Sequence, residues 1–297
     1  MPPPLQSQPP HRPRVRLGAV SFLNSRPLTA ALEDCLDEGP FSLVYDLPSA
    51  CSRDLRAGRI DLGFVPTIEY ALSPVPYALV PGVAVGCRGE VLTVRLFYRG
   101  DLAAVRTVAV DTSSQTSVVL LRILLAEKYG LHPAFEQAAP DLDEMLHGAD
   151  AALLIGDPVL PLLDGGAPKR TRRSLDLGRE WADFTGLPFV FACWAGREGA
   201  LDPRQARCLV EAQRRGQAEI PRIARRFQRE RGGRVELYER YLREHVSYDF
   251  GEAELSGVRE FFRLAHLHGE IERVPELRFF QVAGRGEAAP AAASRDQ

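Results

Sequence analysis

Short apolar runs alternating with helix-length stretches limit most tightly what this chain can fold into. Val15, Leu17 and Ala19 alternate as a strand, Ser21-Phe22-Leu23-Asn24-Ser25 follows as a loop, and Pro27 is placed to open a helix at its first position. Leu43-Val44-Tyr45 reads as a second strand, Ser49 as the cap of a helix that stops at Gly58, and Ile60 to Val65 as a third strand. This is a βαβαβ half. A second half echoes it: strand Val108-Ala109-Val110, a helix from Thr116 to Tyr129 closed by Gly130, and strand Ala151 to Ile155 running into Gly156-Asp157-Pro158. The segments 58–66 and 148–158 both pass from a helix stop, through an aspartate, into an apolar strand that ends beside a proline. Such alternation is the mark of largely parallel sheets covered by helices, an α/β architecture.

Two further apolar runs, Val91 to Tyr98 and Phe189 to Ala195, bracket the second half and are expected to serve as crossovers. The chain then makes two lobes with a cleft between them: residues 14–97 plus 195–282 in the first, 98–194 in the second. Beyond Trp194 the pattern turns helical. Ile220, Ile223, Ala224 and Phe227 share one face, and Val258 to Leu267 repeats the habit, so these helices are expected to pack back on the first lobe. Residues 1–13 and 285–297 are rich in Pro, Ala, Gln, Ser and charge without periodicity, and disorder is expected at both ends.

Charge and cysteine content narrow the function. Lys and Arg number 37 against 39 Asp and Glu, so no net field draws the chain to nucleic acid or to an anionic membrane, and a small molecule is the expected partner. The Arg-rich stretch 204–234 is interleaved with Glu211, Glu219 and Glu230 and reads as a solvated helix surface. Five scattered cysteines (Cys35, Cys51, Cys87, Cys193, Cys208) include no Cys-x-x-Cys, which speaks for a reducing compartment. No run approaches the roughly 18 apolar residues of a membrane span, and the proline-rich start lacks the apolar core of a secretory leader. A cytoplasmic location is expected. The oligomeric state is not written in the sequence.

In doubly wound folds ligands bind beyond the carboxyl ends of strands. The loops there supply Ser21, Asn24 and Ser25, then Thr67 and Glu69, then Asp157. Each could simply cap the helix that follows. The loop Asp111-Thr112-Ser113-Ser114-Gln115-Thr116-Ser117 gathers Ser113, Ser114, Thr116 and Ser117 at a helix start, where hydroxyls and free backbone N–H groups suit a carboxylate or phosphate. It lacks the glycine and lysine of a triphosphate loop, and no Gly-x-Gly-x-x-Gly follows a strand, so nucleotide is not expected. His266-x-His268 has no supporting ligand spacing, so no metal site is expected. Cys87 and Cys193 lie in apolar runs and read as core; no Gly-x-Ser-x-Gly elbow is present.

Several of these segments, with Gly18-Ala19-Val20-Ser21-Phe22-Leu23-Asn24-Ser25-Arg26-Pro27-Leu28 foremost, resemble the chorismate dehydratases of the MqnA type, from the futalosine route to menaquinone. The others are Asp61 to Tyr70, Asp111 to Ser117, Leu153 to Asp157, and Trp181 with Thr185 to Trp194; together they reach over roughly residues 14–280. The resemblance implies a two-lobed periplasmic-binding-protein type II fold with chorismate in the cleft, dehydrated to 3-[(1-carboxyvinyl)oxy]benzoate without metal or organic cofactor. It assigns Asn24 as the active-site asparagine and places Thr93 where the family usually has serine. Gln115 departs from the arginine expected there. Asn24 does not titrate near pH 7 and cannot be the base. The proton is expected to go to the substrate's own side-chain carboxylate, with Asp157 as the competing acceptor. The related 1,4-dihydroxy-6-naphthoate synthases open with a Ser-Pro-Cys-Pro-Asn-Asp type loop, which Ser21-Phe22-Leu23-Asn24-Ser25 does not resemble. From another class, a non-catalytic binding protein for a small carboxylate remains open at this point.

Overall fold

The computed structural model describes residues 14–33, 39–111, 113–164 and 172–284; the tails 1–13 and 285–297, expected to be disordered, lie outside these residues, as do Cys35 and Thr112. Among the described residues ten strands form two five-stranded sheets. The first takes β1 (Val15–Val20), β2 (Phe41–Asp46), β3 (Leu62–Pro66), β4 (Tyr77–Cys87) and, from much further along, β10 (Phe189–Arg197). Its order is β2-β1-β3-β10-β4. The second takes β5 (Val94–Arg99), β6 (Thr107–Asp111), β7 (Ala134–Ala138), β8 (Ala151–Ile155) and β9 (Arg172–Asp176), in the order β7-β6-β8-β5-β9.

The two orders are the same pattern. In each sheet three parallel strands are followed by an antiparallel one, β10 beside β3 in the first and β5 beside β8 in the second. The two similar segments 58–66 and 148–158 occupy matching places, and their aspartates do matching work. The Asp61 carboxylate accepts the Arg16 backbone N–H at 2.9 Å at the start of β1. The Asp150 carboxylate accepts the Arg106 and Thr107 N–H groups, each at 2.9 Å, at the start of β6. In both lobes an aspartate entering the third strand satisfies the first amides of its parallel neighbour, which explains its place at that point of the sequence.

Helices α1 (Arg26–Glu33), α2 (Pro48–Arg56) and α3 (Thr67–Leu72) belong with the first sheet, and α4 (Thr116–Tyr129) and α5 (Leu142–Gly148) with the second. After α6 (Leu160–Asp164) and α7 (Leu177–Thr185), the chain adds α8 (Pro203–Ala218), α9 (Ile220–Arg231), α10 (Val235–Arg240) and α11 (Glu252–Leu267). The expected apolar face of α9 is buried, and α8 and α9 both lie against α1 in the first lobe. α11 reaches α3, α4 and β10 together, with Phe261 packed edge-on against Phe189 and Trp181 where the chain passes between lobes. Among the described residues no helix is long and apolar enough to cross a membrane.

Several local expectations shift. β4, eleven residues long, was not anticipated, because Pro81-Gly82 interrupts its apolar run. The strand tolerates that proline because it lies at the sheet edge, where a missing N–H breaks no central ladder. The expected boundaries at 97/98 and 194/195 cut through β5 and β10; strand pairing puts Val94–Arg99 in the second sheet and Phe189–Arg197 in the first. Ser49 does not cap α2: Leu47 precedes it with extended backbone and Pro48 takes the first position. Pro27 stands second in α1, because a 3-10 turn, Leu23–Ser25, runs straight into that helix.

Residues 88–93 carry the chain from the first sheet to the second, and they are held firmly. The buried Asp176 carboxylate accepts the Val91 N–H at 3.0 Å and the Leu92 N–H at 2.8 Å, while also capping α7 through the Arg179 N–H at 3.1 Å. Leu92 sits at φ +66°, a left-handed conformation unusual for a leucine, and these two amide contacts help pin it there. Thr93 comes next.

Candidate active site

A cleft opens between the two sheets, lined by residues of both. Most of its wall is apolar: Val20 at the end of β1 and Phe22 beyond it, Phe64 and Pro66 from β3, Ile155 from β8, Phe191 from β10. Its polar lining is Asn24 on one lobe and Ser113, Gln115, Thr116 and Ser117 on the other. Among the described residues that line it there is no Arg, Lys or His.

The second-lobe groups surround the start of α4. Asp111 draws the loop tight, its Oδ1 accepting both the N–H and the hydroxyl of Ser113 at 2.8 Å. Gln115 precedes the helix, and among the described residues no side chain caps the first amides of α4, which leaves them and the positive helix end for something in the cleft. Ser114 points elsewhere; its hydroxyl is buried without a hydrogen-bond partner and does not line the cleft.

Among the described residues three hydrogen bonds join the lobes across this cleft, and two of them use residues that the sequence offers as ligands, Asp157 and Thr116. The Leu23 N–H donates to Asp157 Oδ1 at 2.8 Å, the Ile68 N–H to Thr116 Oγ1 at 3.1 Å, and the Ser52 hydroxyl to Gln115 Oε1 at 3.1 Å. Asp157 therefore works as a clasp. Burial pushes its carboxyl up to about 6, against the opposing effect of the Leu23 amide. Gly156 beside it has φ +66°, and a Cβ there would lie 2.8 Å from the Phe22 ring of the opposite lobe. Only glycine lets the two loops approach so closely.

Other expected site residues are spent on the scaffold. Ser25 is buried, and its hydroxyl donates to the Val20 and Phe22 carbonyls, shaping the turn that presents Asn24. Thr67 donates to the Val190 carbonyl at 2.7 Å and ties the end of β3 to β10. Glu69 is fully buried under a two-pronged ion pair with Arg56. Ser21 is exposed and faces an outer groove with Arg26, Glu33, Arg226 and Glu230, away from the cleft. Burial pushes the Cys87 and Cys193 thiols up to about 12, which keeps them protonated and unreactive. His268 pairs with Glu127 at 2.7 Å, and among the described residues no group of three metal-ligating side chains is assembled.

Thr93 is not where it was expected. It is fully buried behind the cleft wall, and its hydroxyl lies 2.7 Å from that of Tyr241. Tyr241 and Thr93 thus form a buried hydroxyl pair behind the cleft wall. Nothing in the sequence singles out Tyr241, which follows α10 in a stretch whose only pattern is its apolar face.

Comparison with known proteins agrees with this picture. The menaquinone biosynthesis family matches residues 15–267. A Thermus thermophilus protein named chorismate dehydratase is 33% identical over 263 residues, which cover 84% of this chain and 94% of that protein. An Archaeoglobus fulgidus protein of solved structure has a TM-score of 0.68 at 19% identity, covering 88% of this chain and 100% of the other. The periplasmic aliphatic sulphonate binding protein of Escherichia coli has a TM-score of 0.62 at 17% identity, over 96% and 98%. At these identities the two structures speak for the fold alone, the two-lobed α/β arrangement of periplasmic binding proteins.

Proposed function

The chain belongs to the menaquinone biosynthesis family and is a homologue of chorismate dehydratase, and from that premise we propose that it is a cytoplasmic hydro-lyase which removes water from chorismate to give 3-[(1-carboxyvinyl)oxy]benzoate. The observation that carries this reading is the cleft: an apolar slot for a six-membered ring, with an amide on one side and an uncapped helix start ringed by hydroxyls on the other.

The reaction expels the ring hydroxyl and the proton of the neighbouring carbon, and an aromatic ring results. Aromatisation supplies driving force, so the protein has to hold the ring, donate to the leaving hydroxyl and leave a base within reach of the proton. Asn24 is the polar group that the first lobe presents to the cleft, and it suits the leaving hydroxyl. The first amides of α4, with Thr116 and Ser117, suit a substrate carboxylate. Among the described residues no titratable side chain lines the cleft, and Asp157 is turned into its contact with Leu23. Both facts favour the substrate's own side-chain carboxylate as the proton acceptor. The carboxylate takes the ring proton and passes it to the leaving hydroxyl, which departs as water, and the electron pair of the broken C–H bond enters the ring.

The test is direct. The purified full chain mixed with chorismate is expected to give an aromatic product, followed by ultraviolet absorbance and mass. Saturable chorismate binding with no product would replace the enzyme reading with that of a carboxylate-binding protein.

A further inference from the structure

We infer that Asp157 is a positioning residue for Asn24: from the second lobe its carboxylate caps the turn that carries the asparagine, so that Asn24 is set in place where the lobes meet. This role rests on the dehydratase reading above. Asn24 is the middle residue of the 3-10 turn Leu23–Ser25, which runs straight into α1. The first amides of such a turn have no partner within it and need acceptors from outside. The neighbouring residues do not supply one for Leu23. Phe22 precedes the turn in extended backbone, and its side chain carries no acceptor. The Ser25 hydroxyl is given to the carbonyls of Val20 and Phe22, and Ser21 is exposed and faces the outer groove. The acceptor comes instead from 134 residues further along the chain, as Asp157 Oδ1 at 2.8 Å.

Both ends of that bond are anchored. The Leu23 side chain is fully buried in the core of the first lobe, and the Ser25 N–H closes the turn on the Phe22 carbonyl at 3.2 Å. On the second lobe the Gly156 N–H donates to the Thr93 carbonyl at 2.8 Å and the Val159 N–H to the Gly156 carbonyl at 3.0 Å, so Asp157 projects from a fixed turn at the end of β8. Thr93 in turn follows Val91 and Leu92, whose amides Asp176 holds. The bare α-carbon of Gly156 lets Phe22 lie against this turn, which brings Asp157 within reach of Leu23. The other two bonds between the lobes, Ile68 with Thr116 and Ser52 with Gln115, lie at α3, α2 and the start of α4. Of the three, the Asp157 bond alone reaches the turn that bears Asn24. A carboxylate on a backbone N–H makes a strong, charge-assisted bond, and the positive start of a helix favours it. Asn24 lies between Leu23 and Ser25, so freeing the Leu23 amide loosens the asparagine on one side.

Asp157→Ala removes the cap, and Asp157→Asn keeps an acceptor in its place. Phe22-Leu23 is the sole Phe-Leu pair in the sequence, so protein made by cell-free synthesis with ¹³C-carbonyl phenylalanine and ¹⁵N-leucine shows the Leu23 N–H as a single correlated signal. In the unaltered protein and in Asp157→Asn this N–H is expected to exchange slowly with solvent. In Asp157→Ala it is expected to exchange at least about tenfold faster, the effect of losing one hydrogen bond to a charged group. With chorismate, kcat of Asp157→Ala is expected to fall about 10- to 100-fold, the scale of a displaced catalytic group, with KM within about threefold. Asp157→Asn is expected to restore most of that loss. Replacing Leu23 by the matching α-hydroxy acid exchanges its N–H for an ester oxygen and leaves both side chains in place. This change is expected to lower kcat to the same extent and to cost nothing further when added to Asp157→Ala. It also carries the test should Asp157→Ala fail to fold. Unchanged Leu23 exchange or unchanged kcat in Asp157→Ala, or full turnover with the ester at position 23, overturns the assignment. So does an Asp157→Asn as slow as Asp157→Ala, which would make the carboxylate a base. Should the unaltered chain leave chorismate unchanged, the dehydratase reading falls, while the Leu23 signal still decides whether Asp157 caps the turn.

Discussion

Replacing Asp157 with asparagine tests the lobe clasp and the choice of base in one variant. The carboxylate accepts the Leu23 N–H at 2.8 Å, yet burial pushes its carboxyl from 3.8 up to about 6. The folded protein therefore holds that proton more tightly than the unfolded chain does. The resulting stability is fully present below about pH 4 and is lost as pH rises through about 6. A gap of roughly two pH units at about 1.4 kcal/mol each sets a ceiling of about 3 kcal/mol by pH 8, trimmed by the partial exposure of the group. Asparagine keeps an acceptor for Leu23 and never ionises. The two proteins should melt together near pH 4, while at pH 8 Asp157→Asn should melt higher by up to about 5–10 °C, read by calorimetry across the pH range. Turnover of chorismate should stay within about threefold, because the substrate carboxylate takes the proton. A variant no more stable than the original at pH 8 would show that the folded state does not disfavour this charge. Turnover lost with chorismate binding intact would make Asp157 the base and end the substrate-assisted mechanism.

Gly156→Ala forces a methyl group into the Phe22 ring at a φ of +66° and should hold the lobes apart. Chorismate affinity by titration calorimetry is expected to fall about tenfold or more, since strain at such a position costs about 1–3 kcal/mol. Gln115→Glu places a negative charge at the start of α4, where a substrate carboxylate is expected. Affinity should drop by about tenfold at low salt and recover in part as salt rises. Asp176→Ala strips the acceptor from the Val91, Leu92 and Arg179 amides. A loss of about 2–4 kcal/mol is expected from urea unfolding, because each buried amide left unmade costs about 1–3 kcal/mol and the helix cap adds to that.

Elements whose pattern is complete within a dozen residues were legible from the chain alone. The helix Thr116–Tyr129 and its left-handed Gly130 stop carry their own signals, and so do the strands at Val15 and Ala151. β4 was not legible, because Pro81-Gly82 is acceptable only on a sheet edge, and which strand forms the edge depends on pairings made elsewhere. The polar loops beyond the strand ends were found, but the use of each hydroxyl was not. Ser25 and Thr67 satisfy carbonyls that exist as partners only after the turn and the β3–β10 contact have formed.

Asn24 marks the division. Its residue type and its place beyond β1 follow from local sequence, and they make it a neutral hydrogen-bonding group at the cleft. The hydroxyl pair buried behind the same cleft, Thr93 and Tyr241, is 148 residues apart in the chain and 2.7 Å apart in the fold, and no local pattern announces it. A hydrogen bond acts over about 3 Å, and only tertiary packing brings groups so distant in sequence within that reach.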